Sequence, residues 1–461
     1  MPSIEHRTKA LTVNPLKASQ PLGGSLATLG FCRAMPLLHG SQGCTAFGKV
    51  YFVRHFNEPI PLQSSAVDKT SAIMGADENI EQALHTICTK NSPSLITVLT
   101  TGLTETAGTD IERLVKDFRR NNPELAATTT IVPVNTADFT GSLESGYAAT
   151  LTAILDATLP NTTFARTRPG KSSRRVNLLL SSSLTPGDVE ELLDLISAFD
   201  LEPVAIPDLS ASLDGHLEAC EFDPLTTAGT AVESLDECGN AAATIVIGSS
   251  LYAAADLLTN RTGVPDIRFD HMMGMQQTDR LIMALREISG RAVPRKIQRR
   301  RQQFQDALLD THLVLGQSRI GMAGEADLLA GLSNLVSSVG MEIVSLVAPD
   351  DDARGLEGIA ASTVKIGDLE DLEVASRENG AEIIIGSGHA AATAERLGIP
   401  IVQHGYPIWE RLGLHTRSRV GYRGSRDLLF DLANALLEHR EHHPALKPYR
   451  SVYKHPEAEP S

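Results

Sequence analysis

The chain has 461 residues, 42% of them hydrophobic, and a formal net charge of −15. That is enough apolar material for two to four units of ordinary size, and enough negative charge to repel nucleic acid and anionic lipid surfaces. No apolar run approaches the roughly 20 residues that span a bilayer, and the opening MPSIEHRTKA lacks the apolar core of a secretory signal, so a cytoplasmic location with no nucleic-acid and no membrane partner is expected.

In chain order the first informative stretch is HGSQGCTAFGKV, residues 39 to 50. Gly43, four residues, then Gly48-Lys49 give the outline of a phosphate-binding loop. Such a loop needs Ser or Thr directly after the lysine to hold magnesium, and that position is Val50. The other reading is a glycine-rich turn that presents one cysteine, since Gly40, Gly43 and Gly48 bracket Cys44 and leave backbone amides free to face cluster sulfides. His39, just before the turn, could ligate, but a histidine held by hydrogen bonds is the plainer reading. A four-thiolate cluster cannot be built from one cysteine. If Cys44 is a ligand, the others come from a second chain and the cluster lies at a subunit interface.

Further along, Cys88 falls in the helical pattern IEQALHTIC, and Cys32, Cys220 and Cys238 share no CxxC spacing with it or each other. These four read as structural residues. Strand patterns follow at SLITVLTT (94–101) and TTIVPVNT (129–136), with Glu105 and Asp138 in the loops after them as candidate polar neighbours of the cysteine turn or plain cap carboxylates. The sequon at Asn161 is a chance match, and RTRPGKSSR (166–174) reads as a seam. RVNLLLSSS (175–183), a helix started by Thr185-Pro186, and EPVAIPD (202–208) form one strand–helix–strand unit.

TIVIGSSLYAAADLLTNRTGVPDI (244–267) and EIIIGSGHAAATAERLGIPIV (382–402) repeat one order: apolar strand, Gly-Ser turn, Ala-rich helix, Gly-(Ile/Val)-Pro, next strand. The Gly-Ser turns read as packing turns. RKIQRRR (295–301) is a solvated helix face, and RIGMAG (319–324), MEIVSLVAP (341–349) and IPIVQHG (399–405) complete the strands. Tyr406 and Trp409, after the last of them, read as a packed junction. The expected fold is α/β: three Rossmann-like domains, with parallel sheets flanked by helices. Expected boundaries are 1–168 for the N-terminal domain with the cysteine loop, 169–295 for the second, and 296–461 for the third with a C-terminal helix and tail.

The stretch SQPLGGSLATLGFCRAMPLLHGSQGCTAFGKVYFVRHFNEPIPLQSSAVD (19–68) resembles the N-terminal region of the nitrogenase component 1 β-subunit-like family, as do VLTTGLTETAGTDI, VPVNTADFTGSLESGY, DHMMGMQQTDRLIMAL and IPIVQHGYPIWERLGLHTRSRVGYRG. The resemblance covers nearly the whole chain and implies the nitrogenase component 1 type of three-domain fold. The catalytic β-subunit of that family supplies three cysteines to an eight-iron P-cluster; aligned by motif, those positions here are Ser19, Cys44 and Gly102. With two thiolates missing, the chain is similar to the biosynthetic NifN branch.

What that branch implies is an assembly scaffold without catalytic residues. Cys44 would be the metal ligand and Gly40 and Gly43 its cofactor-binding turn, completing a 4Fe-4S cluster shared with NifE in an α2β2-type heterotetramer. NifB would donate the iron–molybdenum cofactor precursor, held mainly by NifE. Molybdenum and homocitrate would enter with help from the nitrogenase iron protein, and the apo molybdenum–iron protein would accept the product. The alternatives are a catalytic nitrogenase-type or protochlorophyllide-reductase-type β-subunit, and a cluster-free α/β protein that binds a small molecule.

Overall fold

The computed structural model of the protein describes residues 2–7, 9, 11–160, 173–217, 223–351 and 353–442; Cys220, the sequon at Asn161 and most of the seam at 166–174 lie outside the described residues. Its strands are β1 (Ser3–His6), β2 (Ala34–His39), β3 (Gln63–Ser64), β4 (Leu95–Thr100), β5 (Thr130–Val134), β6 (Arg175–Leu180), β7 (Glu202–Ile206), β8 (Ala243–Ile247), β9 (Asp266–Phe269), β10 (Arg319–Ala323), β11 (Glu342–Ala348), β12 (Thr363–Ile366), β13 (Ile383–Gly386) and β14 (Ile401–Gln403). Each apolar run read as a strand from the sequence is one. β4, all buried, shows why these runs lack polar alternation: helices cover both faces of a parallel sheet.

Three sheets form, and the paired strands in them run parallel: β3-β2-β4-β5, β7-β6-β8-β9, and six-stranded β1-β12-β11-β10-β13-β14. β1 joins the third sheet, with Ser3 opposite Thr363, so Ser3–His6 belongs to the third unit. Setting aside β1 at the edge of the third sheet, the strand order in each sheet reverses once: between β2 and β4, between β6 and β8, and between β10 and β13. Crevices at such reversals, beyond the C-terminal strand ends, are where doubly wound sheets place ligands.

The internal echo is structural. β8, the helix Tyr252–Thr262 and β9 are repeated by β13, the helix Ala391–Leu397 and β14. Thr185 caps the helix Pro186–Ser197 through a capping box with Asp188, and Val189, Leu192 and Ile196 go into the core beneath it. One apolar core runs through the second and third units and another through the first and second.

The helices Gln20–Leu29 and Leu143–Thr158 cross backbone against backbone. A β-carbon on Gly23 would lie 1.8 Å from the Leu143 carbonyl oxygen, and one on Gly146 2.2 Å from that of Gln20. This close crossing fixes Ser19, the N-cap of the first helix, beside the loop that follows β5.

Candidate metal centre

The first sheet's reversal lies between His39, the last residue of β2, and its ladder partner Thr100 on β4. From there the chain turns through Gly40 and Ser41 into the helix Gln42–Phe56, with Ser41 as N-cap. The stretch read as a loop is therefore mostly helix: Gly43 to Lys49 all lie inside it. A phosphate-binding loop places its glycines before the helix so that several amides converge on one anion. Here only the first-turn amides are free, which removes the nucleotide reading on geometry as well as on Val50.

Cys44 sits in that first turn, exposed, with the Ser41 hydroxyl 3.4 Å from its sulfur. The unpaired amides and the positive end of the helix dipole favour negative charge at such a position. Hydrogen bonds hold the turn from three sides. The Thr101 and Thr104 hydroxyls donate to the His39 carbonyl at 3.0 and 2.9 Å, and the Gly40 amide donates to Ser65 Oγ at 3.2 Å.

His39 itself is buried, with Nδ1 2.8 Å from Ser65 Oγ and Nε2 without a hydrogen-bond partner among the described residues. Burial pulls its pKa down to about 4, against a small opposing pull from Asp77, so the ring is neutral near pH 7. It packs under the turn, tied to Ser65.

The same rim collects the neighbouring loops. Asp138 accepts the Gly102 amide at 3.0 Å, and Glu105 accepts the Thr100 hydroxyl at 2.6 Å, so both carboxylates act as local caps. Thr140 donates to Gln20 Oε1 at 3.0 Å, and Gln20 Nε2 donates to Ser145 at 3.0 Å. Hydrogen bonds thus link the loops that bear Ser19, Cys44 and Gly102. Sequence reasoning did not find Ser65, Thr101, Thr104 or Gln20; small polar residues at strand ends carry no period or spacing that marks them.

Among the described residues no group of three or more His, Cys, Asp or Glu side chains is placed to hold a metal. Cys32 lies before β2, at the opposite edge of the sheet from Cys44. Burial raises the pKa of Cys32 and of Cys88, and pushes Cys238 up to about 11. Among the described cysteines Cys44 alone is exposed.

Large apolar side chains are exposed on the Cys44 helix and at 73–74, 103 and 139. Phe47 is 83% exposed, Ile73 84% and Met74 81%, with Val50, Leu103 and Phe139 also open to solvent. Leu103, Ile73 and Met74 line one groove together with the charged Asp77, Asp110 and Arg113. Large apolar side chains gathered on one exposed edge mark a surface that another protein covers.

Tyr406 and Trp409 form the expected junction. Trp409 Nε1 donates to the Tyr51 carbonyl at 3.3 Å, Arg54 lies 4.4 Å over its ring, and Tyr406 packs 4.5 Å from His55. The third unit thereby clamps the far end of the Cys44 helix.

The sequence pattern of the family described as "Nitrogenase component 1 type Oxidoreductase" matches residues 19–437. Curated relatives named nitrogenase iron-molybdenum cofactor biosynthesis protein NifN include one from Klebsiella pneumoniae, 43% identical and covering 98% of this chain and 96% of its own length. Another, from Nostoc sp., is 43% identical over 94% and 95%. The solved structure described as "Nitrogenase Cp1 at pH 6.5" superimposes with a TM-score of 0.87 at 28% identity, covering 97% of this chain and 98% of that one.

Proposed function

Starting from a chain that belongs to the nitrogenase component 1 type oxidoreductase family, we propose that it acts as a scaffold subunit in iron–molybdenum cofactor biosynthesis, the process for which its relatives are named. On this reading it pairs with NifE in an α2β2-type heterotetramer, on which a precursor from NifB gains molybdenum and homocitrate. The product then passes to the apo molybdenum–iron protein.

The observation that carries the reading is the solitary exposed Cys44 on a rim whose other motif-aligned positions are Ser19 and Gly102. A catalytic β-subunit needs thiolates at all three, and this rim has one to give. A 4Fe-4S cluster shared with NifE would supply a one-electron site and a link between subunits. The chain's own residues do the rest: Cys44 offers its sulfur where free amides stabilise negative charge, and Ser65, Thr101 and Thr104 fix the turn. Phe47, Val50 and their apolar neighbours would exclude water once covered.

The test is reconstitution. The chain co-purified with NifE is supplied with precursor-loaded NifB, iron protein, ATP, molybdate and homocitrate, and apo molybdenum–iron protein is then assayed for substrate reduction. Activation that depends on this chain is expected. Substrate reduction by the complex itself at a comparable rate, without the acceptor protein, would replace the scaffold reading with a catalytic one.

A further inference from the structure

The second and third units each place their strand-order reversal at one shared crevice. Ser182 and Ser183 reach it from the end of β6, Ser387 from β13, and His404 and Tyr406 from β14, and Glu325 lines it from the β10 side. The crevice measures about 30 Å3, room for about two waters. Ser387 Oγ, His404 Nε2 and Tyr406 Oη are buried there without a hydrogen-bond partner.

Beside it, the N-terminus of the helix Ala326–Ser338 is tied to both other units through carboxyl groups. Ser142 of the first unit donates to Glu325 Oε2 at 2.7 Å, and Glu144 of the first unit accepts the Asp327 amide at 3.0 Å. Asp327 accepts the amide and hydroxyl of Ser249 at 2.9 Å each and the hydroxyl of Ser250 at 2.6 Å, both from the second unit. Among the described residues no lysine or arginine is ion-paired with Glu325 or Asp327.

We propose that Glu325, set against Asp327 where the three units meet, is a proton-operated latch: protonated, it lets the helix head close on the crevice, and on losing its proton it loosens that junction.

The charges facing Glu325 support this. Asp327 and Asp350 are acidic, Lys17 is an exposed cation that acts against them, and the Tyr51 hydroxyl nearby is neutral. The lining His404 is held neutral by burial, reinforced by Arg419, with its pKa down at about 3. Burial, with Asp350 and Asp327 adding to it against the Ser142 hydrogen bond and Lys17, lifts Glu325 from 4.5 to about 7. Burial likewise raises Asp327 against its serine hydrogen bonds. A raised carboxyl pKa favours the closed state at low pH. That preference falls as pH rises from about 4.5 and is fully lost above about 7. Glu325 is half-buried against the crevice, so the proton can exchange with water.

Hydrogen exchange followed by mass spectrometry, on the full chain with its co-purified partner, tests the latch. Peptides covering 323–329 and 249–252 are compared at about pH 6 and pH 8.5 after correction for intrinsic rates, with 243–247 in the core as control. With pKa values of about 4.5 open and 7 closed, opening should rise about tenfold across that interval, while the control peptide stays unchanged. Glu325→Gln should keep the low-pH protection at both values. Equal protection of wild-type 323–329 at both pH values overturns the proposal, as does a Glu325→Gln protein with undiminished pH dependence. If that variant does not fold, the wild-type profile decides, because a transition centred far from pH 7 also excludes Glu325.

Discussion

The Thr101 side chain occupies the space that a β-carbon on Gly40 would need: such a carbon would lie 2.6 Å from Thr101 Oγ1 and 2.8 Å from its Cγ2. Thr101 is itself tied to the His39 carbonyl, so it cannot swing aside without freeing the turn that leads to Cys44. Gly40→Ala is expected to cost about 1–3 kcal/mol in denaturant unfolding, as overpacking does, and to reduce iron in the complex. Gly43 meets nothing nearer than Ser41 Oγ at 3.8 Å, so Gly43→Ala should match wild type in both measurements. Equal effects of the two substitutions would show that the turn is not sterically set.

The exposed Phe47 stands one helical turn beyond Cys44. If this face meets the partner subunit, Phe47→Asp buries a charge in an apolar contact and should lower co-purification of the partner at least tenfold. The isolated chain should unfold at a nearly unchanged midpoint, because Phe47 is 83% exposed in it. Undiminished co-purification would move the interface elsewhere.

Much of this arrangement was legible in the sequence. Runs such as ATIVIGSS and AEIIIGSG announced β8 and β13 because strands buried on both faces must be continuously apolar. The Thr185-Pro186 start gave its helix for the same local reason. β1 was not legible, since Ser3–His6 is exposed and its partner Thr363–Ile366 lies at the far end of the chain. The cysteine turn was half read. The glycines suggested a loop, whereas Gly43 and Gly48 tolerate helix once Gly48 packs against Leu22 and Leu62. His55 gave no signal at all, being one polar residue on a buried helix face.

Lys49 is half-buried within the helix and no part of an anion-binding loop. Lys49→Ala should leave iron content and the cluster spectrum unchanged, and a labelled ATP analogue with magnesium should show no saturable binding to the complex when the iron protein is absent. Saturable binding abolished by Lys49→Ala would restore the phosphate-loop reading.

His55 Nδ1 accepts the Ile408 amide at 3.0 Å. Burial, with His415 and His404 adding to it, lowers its pKa from 6.5 to about 3. A base with a depressed folded pKa gives stability that is present above pH 6.5 and is lost as pH falls toward 3. Between about pH 6.5 and 5.5, wild type should lose about 1 kcal/mol more than His55→Asn, whose amide oxygen can take over the Ile408 hydrogen bond. Urea midpoints at the two pH values check this, and parallel losses would mean that His55 takes up its proton in the folded state.

The central claim is that Cys44 is this chain's one ligand to a cluster shared with a partner subunit. It is tested most directly by iron analysis and electron paramagnetic resonance of the co-purified complex carrying Cys44→Ala, beside Cys88→Ala and Cys238→Ala controls. The account expects the 4Fe-4S signal and its iron to be lost or severely reduced in Cys44→Ala alone, because an incomplete thiolate set leaves iron labile. A wild-type signal with full iron in Cys44→Ala would contradict it.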